Sequence, residues 1–150
     1  MGRKIMTVRI KKLNEKAKIP TYGTLFSAGA DLYCMEGCDV VIGAHKTAMI
    51  PLGFSLEIPE GYAGLIFARS GLASKRGLAP ANKVGVIDSD YRGECMVALH
   101  NHTDSDVKVE GGERVAQLVI VPYLRAEFEE SEELSETVRG EGGFGSTGRK

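Results

Sequence analysis

Tryptophan is absent, and no apolar run approaches the roughly 18 residues that a spanning helix needs, so nothing in the chain reads as a membrane segment. Met1 to Ile10 is too polar for a signal peptide, which makes a cytoplasmic protein the expectation. Cysteine is scarce. Cys34, Cys38 and Cys95 are odd in number and lack a second Cys-x-x-Cys, so reduced thiols are expected rather than a disulfide frame. Cys34, Cys38 and His45 fall short of the four tightly spaced ligands of a structural zinc, and small buried thiols fit better. A basic excess is missing too. The formal net charge is −1, whereas polyanion binding shows a concentrated basic surface, so nucleic acid is not expected as the main partner. The charge is nonetheless uneven: seven Lys or Arg lie from Arg3 to Lys18 and six Glu from Glu127 to Glu136, regions that either pair or form solvated faces.

What is present suffices for one core: 150 residues with 43% apolar content suit a single domain. Short apolar runs broken by turn residues predict strands over 5–10, 30–34, 40–42, 47–50, 52–58, 62–68, 83–87, 94–99, 106–109 and 114–121, with Asn101 to Ser105 and Gly111-Gly112 as turns. Phe54, Leu56 and Ile58 alternate with Ser55 and Glu57, the period of a half-buried strand. Only Ser70 to Arg76 resembles a helix, with Ser70 as its N-cap and Gly77 as its left-handed stop. The spacing is that of an all-β sandwich or barrel with one short helix. After Phe128 come glutamates and then a tail with five glycines among the eleven residues 140–150, too costly to order unaided and without core residues. The expected organisation is therefore a β domain over 1–128 and a mobile arm over 129–150.

Residues 85–94 read Gly-Val-Ile-Asp-Ser-Asp-Tyr-Arg-Gly-Glu, an apolar lead that delivers two carboxylates and a tyrosine to a turn edge. Asp88, Ser89 and Asp90 are costly to bury without partners or a ligand, so Asp88 is the first candidate for a base; the plain alternative is a solvated turn. Arg69-Ser70-Gly71, between a strand and the helix, either seats an anion or caps a helix beside a surface charge. Gln117, in the apolar run Val115 to Val121, is either a satisfied internal amide or a ligand contact, and Asp31 is a turn residue or part of a site. The tail combines glycine with Phe144, Ser146, Thr147 and Arg149, groups suited to closing over an anionic, ring-bearing ligand. Gly143 to Gly148 has Walker-like spacing, but no Lys-Ser/Thr and no helix follow, so a P-loop is rejected.

Five segments in order resemble the motifs of the trimeric dUTPase family: Ala28 to Leu32, Arg69 to Leu72, Gly85 to Glu94, Arg114 to Leu118, and Arg139 to Gly148. The resemblance implies a jelly-roll-like β domain in a homotrimer, with sites at subunit boundaries closed by a neighbour's C-terminal arm. It implies hydrolysis of dUTP between the α and β phosphorus atoms to dUMP and pyrophosphate, with Mg2+ carried on the triphosphate, limiting uracil in DNA and supplying dUMP for thymidylate synthesis. By the same resemblance Asp88 is the general base for the attacking water and Tyr91 packs on deoxyribose, excluding a 2′-hydroxyl. Asn82, Gly85, Val86 and Ile87 form the hairpin that reads uracil, and Met96 lines that pocket. Arg69, Ser70, Gly71 and Gln117 contact phosphates, and Arg139, Gly145, Ser146 and Thr147 of the arm embrace the distal ones while Phe144 stacks on uracil. Asp31 is expected in the outer shell of the magnesium, through water. A dCTP deaminase of the same fold family and a non-catalytic nucleotide sensor are the competing readings. The tyrosine after Asp90 and the glycine-rich tail oppose the first, and Asp88 opposes the second.

Overall fold

The computed structural model describes residues 4–148; Met1, Arg3 and Arg149, named above, lie outside the described residues. The strands are β1 (Arg9–Lys12), β2 (Thr21–Tyr22), β3 (Ala30–Tyr33), β4 (Val40–Ile42), β5 (Thr47–Pro51), β6 (Phe54–Glu57), β7 (Tyr62–Phe67), β8 (Leu78–Pro80), β9 (Gly85–Ile87), β10 (Met96–Asn101), β11 (Val107–Val109) and β12 (Arg114–Pro122), and the helix is α1 (Ser70–Arg76). The fold is an all-β, jelly-roll-like sandwich. Its five-stranded sheet runs β2-β3-β12-β7-β9, a second sheet runs β5-β10-β8, and β1-β6 and β11-β4 pair at the margins.

Period-two alternation explains the core. On β10, Val97, Leu99 and Asn101 are buried while Met96, Ala98 and His100 are half-buried, because successive side chains point to opposite faces. Leu32, Ile66, Ile87 and Leu118 from the five-stranded sheet meet Ile50, Leu78, Val97 and Leu99 from the three-stranded sheet in one cluster with Phe54 and Leu56. Each such side chain contributes about 1.5–3 kcal/mol by leaving water. The cluster fixes where β7, β9, β10 and β12 end, and those ends carry the candidate site.

Several local expectations need correction. β1 is Arg9–Lys12, not 5–10, and β6 is confined to Phe54–Glu57. Ser55 on β6 is buried rather than half-exposed, since β1 covers it by pairing Lys11 opposite. Arg69, not Ser70, is the N-cap of α1, with extended backbone and no side-chain cap; Gly77 does stop the helix in the left-handed region at φ 65°. Asn101 is no turn residue but a fully buried hub of β10: its Nδ2 donates to the carbonyls of Ile42, Gly43 and Ser105, and its Oδ1 accepts from the Thr103 backbone N–H and hydroxyl. Its five contacts tie the 42–43 and 103–105 loops to β10, which is how a polar amide is tolerated there.

Among the described residues no helix is long and apolar enough to cross a membrane. Cys34, Cys38 and Cys95 are free, with Cys34 and Cys95 buried.

Candidate functional site

A cleft of about 280 Å3 opens where β9 and β10 face each other. Asn82, Gly85, Val86, Ile87, Asp88, Tyr91 and Met96, all expected from the sequence, line it together. Pro80, Ala98 and Met49 line it as well and were not anticipated, although Ala98 shares the outward face of β10 with Met96. The hairpin before β9 is tight: Lys83 has φ 66°, its N–H reaches the Pro80 carbonyl at 3.1 Å, and the Val84 N–H reaches the Asn82 carbonyl at 2.7 Å. Packing at Gly85 is tight, since a Cβ there would lie 3.3 Å from both Asn82 Nδ2 and Ile66 Cβ and a neighbour would have to give by a few tenths of an ångström.

Asp88 follows the last residue of β9 and is exposed; the Tyr91 N–H closes a turn on its carbonyl at 3.2 Å. The Tyr91 hydroxyl then donates to the Glu94 carbonyl at 3.0 Å, so the ring folds back over Gly93. Gly93 serves this ring rather than a special backbone angle, because a Cβ there would lie 2.6 Å from Tyr91 Cζ.

A second cluster is anion-seeking. Asp31, Gln117 and Phe67 stand abreast across β3, β12 and β7. The Asp31 carboxylate faces two guanidinium groups, Arg69 Nε at 3.0 Å on Oδ1 and Arg114 Nε at 3.4 Å on Oδ2. A register shift between Arg114 and Ala116 on β12 swings Arg114 to this position, the usual effect of a bulge. Gln117 Nε2 donates to the Ala68 carbonyl at 2.9 Å and packs on Gly29, where a Cβ would press on its amide. The internal amide is thus satisfied at one end, directly behind Arg69. Ser70 and Gly71 are exposed, with nothing within 4 Å of a Cβ placed on Gly71, and Arg69 beside them is half-buried against Asp31. Arg114 and the Thr21 hydroxyl meet at Tyr33, whose phenol is held below its usual range chiefly by the Thr21 hydrogen bond and then by Arg114.

Both carboxylate oxygens of Asp31, expected in the outer shell of the magnesium, face guanidinium groups within this chain. No group of three or more His, Cys, Asp or Glu among the described residues could hold a metal ion. These residues fit a cation that arrives on phosphate oxygens rather than one caged by protein.

The two clusters do not converge on one chain. In the antiparallel β7–β9 ladder Gly64 pairs with Ile87 and Ile66 with Gly85, so Asp88 falls opposite Ala63 while Arg69 lies six residues further along β7's direction. At ~3.3 Å per extended residue the backbones of Asp88 and Arg69 are ~20 Å apart. The arm joins neither cluster. Arg139, Phe144, Gly145, Ser146 and Thr147 line no part of the cleft, and the described residues of the arm close local turns, Arg139 Nε to the Gly142 carbonyl at 2.8 Å and the Ser146 N–H to the Gly143 carbonyl at 3.0 Å. Phe144 is fully exposed at φ 49°, an unusual angle for a ring-bearing residue.

The dUTPase family model matches residues 15–148. A deoxyuridine 5'-triphosphate nucleotidohydrolase of Hydrogenobaculum sp. is 48% identical over 145 residues, covering 97% of this chain and 100% of the relative. One of Nautilia profundicola is 49% identical over 144 residues, covering 96% and 100%. The solved Staphylococcus bacteriophage 80alpha dUTPase with dUpNHpp superposes with a TM-score of 0.86 at 32% identity, covering 95% of this chain and 99% of that one. A dUTPase from phage phi11 of S. aureus, described with a structural Mg(II) ion, gives a TM-score of 0.75 at 28% identity over 85% of this chain and 98% of that one. Sequence and fold agree over nearly the whole length, and the chain belongs to the dUTPase family.

Proposed function

We propose that this dUTP nucleotidohydrolase cleaves dUTP to dUMP and pyrophosphate by water attack on the α-phosphorus, with Asp88 as general base. The observation that carries this reading is the lining of one cleft by Asp88, Tyr91, Asn82 and the β9 hairpin. A carboxylate at the open end of a rigid strand can orient and deprotonate water without a covalent intermediate. Deoxyuridine lies along the cleft: Asn82 and the backbone of Gly85 to Ile87 pair with uracil, Met96 closes the pocket, and the Tyr91 ring excludes a 2′-hydroxyl. A pocket built to hydrogen-bond one polar edge rejects a mispaired base strongly.

The phosphates need a cationic partner that this chain cannot bring to its own Asp88. Arg69, Ser70, Gly71 and Gln117 supply one ~20 Å away along the ladder, which supports a homotrimer whose sites combine the cleft of one chain with the arginine cluster of another. Asp31 holds Arg69 and Arg114 in place for that contact. No carboxylate cluster among the described residues would hold Mg2+; carried by the triphosphate, it would supply neutralisation of phosphate charge. Residues 1–128 form the β domain and 129–150 an arm, whose glycine-rich end carries Arg139, Phe144, Gly145, Ser146 and Thr147 over a neighbouring site. Three free thiols accord with a cytoplasmic setting, and removal of dUTP would limit uracil in DNA while supplying dUMP for thymidylate.

The test is Asp88→Asn. It keeps the shape and the turn but removes the base, so dUTP binding is retained while pyrophosphate release falls by ~100-fold or more. Normal release by that variant would overturn the assignment. Ammonia from dCTP, with dUTP left intact, would instead establish the deaminase reading.

A further inference from the structure

Arg92 does not line the cleft, yet its guanidinium reaches back under the turn that presents Asp88 and Tyr91. Nη1 donates to the Ser89 carbonyl at 2.7 Å and to the Tyr91 carbonyl at 3.1 Å. Nη2 faces Glu57 Oε1 at 3.4 Å, and the other oxygen of Glu57 takes Arg9 Nη1 at 3.2 Å. Glu57 and Arg9 are opposite each other in the β6–β1 ladder, so the brace is anchored on a separate sheet from β9.

We infer that Arg92 is a positioning residue for the hydrolysis: it locks the Asp88–Tyr91 turn against the β1–β6 pair, fixing the base and the sugar-reading ring relative to each other before substrate binds. The inference rests on the roles proposed above for Asp88 and Tyr91. The turn has only one backbone hydrogen bond of its own, from the Tyr91 N–H to the Asp88 carbonyl at 3.2 Å. Asp88 is exposed, and among the described residues no side chain hydrogen-bonds to or pairs with its carboxylate. Its placement therefore depends on the backbone that carries it. A planar five-donor fork can satisfy two carbonyls and a carboxylate together, whereas a lysine ammonium has neither the reach nor the geometry. Both Arg92 and Glu57 are half-exposed, and exposed ion pairs add little to global stability. Loss of the brace should thus separate from loss of the fold.

The experiment uses the full-length protein with Arg92→Ala, Arg92→Lys, Glu57→Gln and, in parallel, Asp88→Asn. Pyrophosphate release is followed with dUTP and with UTP, melting midpoints are recorded, and Arg92→Ala is assayed again with millimolar guanidinium chloride. Misplacement on the ångström scale predicts a kcat for Arg92→Ala lowered ~10- to 100-fold with a nearly unchanged midpoint. The preference for dUTP over UTP narrows, added guanidinium restores part of the rate, Arg92→Lys recovers only a fraction, and Glu57→Gln causes a smaller loss of the same kind. Normal kcat and preference in Arg92→Ala beside an inactive Asp88→Asn would overturn the inference alone. So would a loss that follows the midpoint and is rescued by neither guanidinium nor lysine. Should Arg92→Ala fail to fold, Arg92→Lys and Glu57→Gln carry the same comparison. Normal turnover by Asp88→Asn removes the base assignment and this inference with it.

Discussion

Replacing Gly93 by alanine tests whether the Tyr91 ring sets sugar selectivity through its position. A Cβ at residue 93 would lie 2.6 Å from Tyr91 Cζ and 2.9 Å from Cε2, and neither neighbour is the yielding end of a flexible chain. Ordinary carbon contacts begin at about 3.5 Å, so the rigid ring must retreat by about 0.9 Å. That retreat breaks the 3.0 Å bond from its hydroxyl to the Glu94 carbonyl. The ring is about half-exposed, so no buried cavity opens and stability should drop by only about 1 kcal/mol. For a chain of this length that is about 2–4 °C in melting midpoint. Selectivity should suffer more. A 2′-hydroxyl gains room, and a change of about 1.4 kcal/mol in relative transition-state energy narrows the dUTP-to-UTP ratio of kcat/KM about tenfold. Tyr91→Phe is the control, since it drops the hydroxyl but keeps the ring over Gly93 and should retain the preference. Side-by-side pyrophosphate release decides the matter: Gly93→Ala with the parent ratio would refute the claim that ring placement reads the sugar.

Asn101→Leu should cost about 4 kcal/mol in urea unfolding, because several buried groups of the 42–43 and 103–105 loops lose their partner at once; a loss below about 1 kcal/mol would show that water replaces the amide. Gly29→Ala should displace the Gln117 amide from the Ala68 carbonyl, lowering stability by about 2–4 kcal/mol through overpacking and a lost hydrogen bond. Its KM for dUTP should rise as Arg69 loosens, and an unchanged KM would uncouple Gln117 from the phosphate seat. Burial pushes the Cys34 and Cys95 thiols up to about 11, so both stay protonated at pH 8 and should alkylate slowly with iodoacetamide, while half-buried Cys38 labels first. Peptide mass spectrometry showing equal rates would contradict that order.

The strands that pack the core were legible as short apolar runs bounded by turn residues, as in β7 and β12. β2 and β8 were not, since two or three residues carry no period and β8 ends in Pro80. Asp88 and its hairpin could be read from an apolar lead broken by carboxylates. The pairing of Asp31 with Arg69 and Arg114 could not, because it depends on strand neighbours and on a bulge that the local pattern does not encode. Asn101 looked like a turn residue for a similar reason. A buried amide hub is recognised only once the loops it serves are in place.

The opposed run of β7 and β9 has a genetic corollary. If each working centre borrows its acid from one polypeptide and its guanidinium from another, Asp88→Asn and Arg69→Ala chains, each inert alone, become jointly competent when co-assembled. Blending the two after unfolding and refolding should revive a definable fraction of centres, set by how the defects are shuffled among the copies.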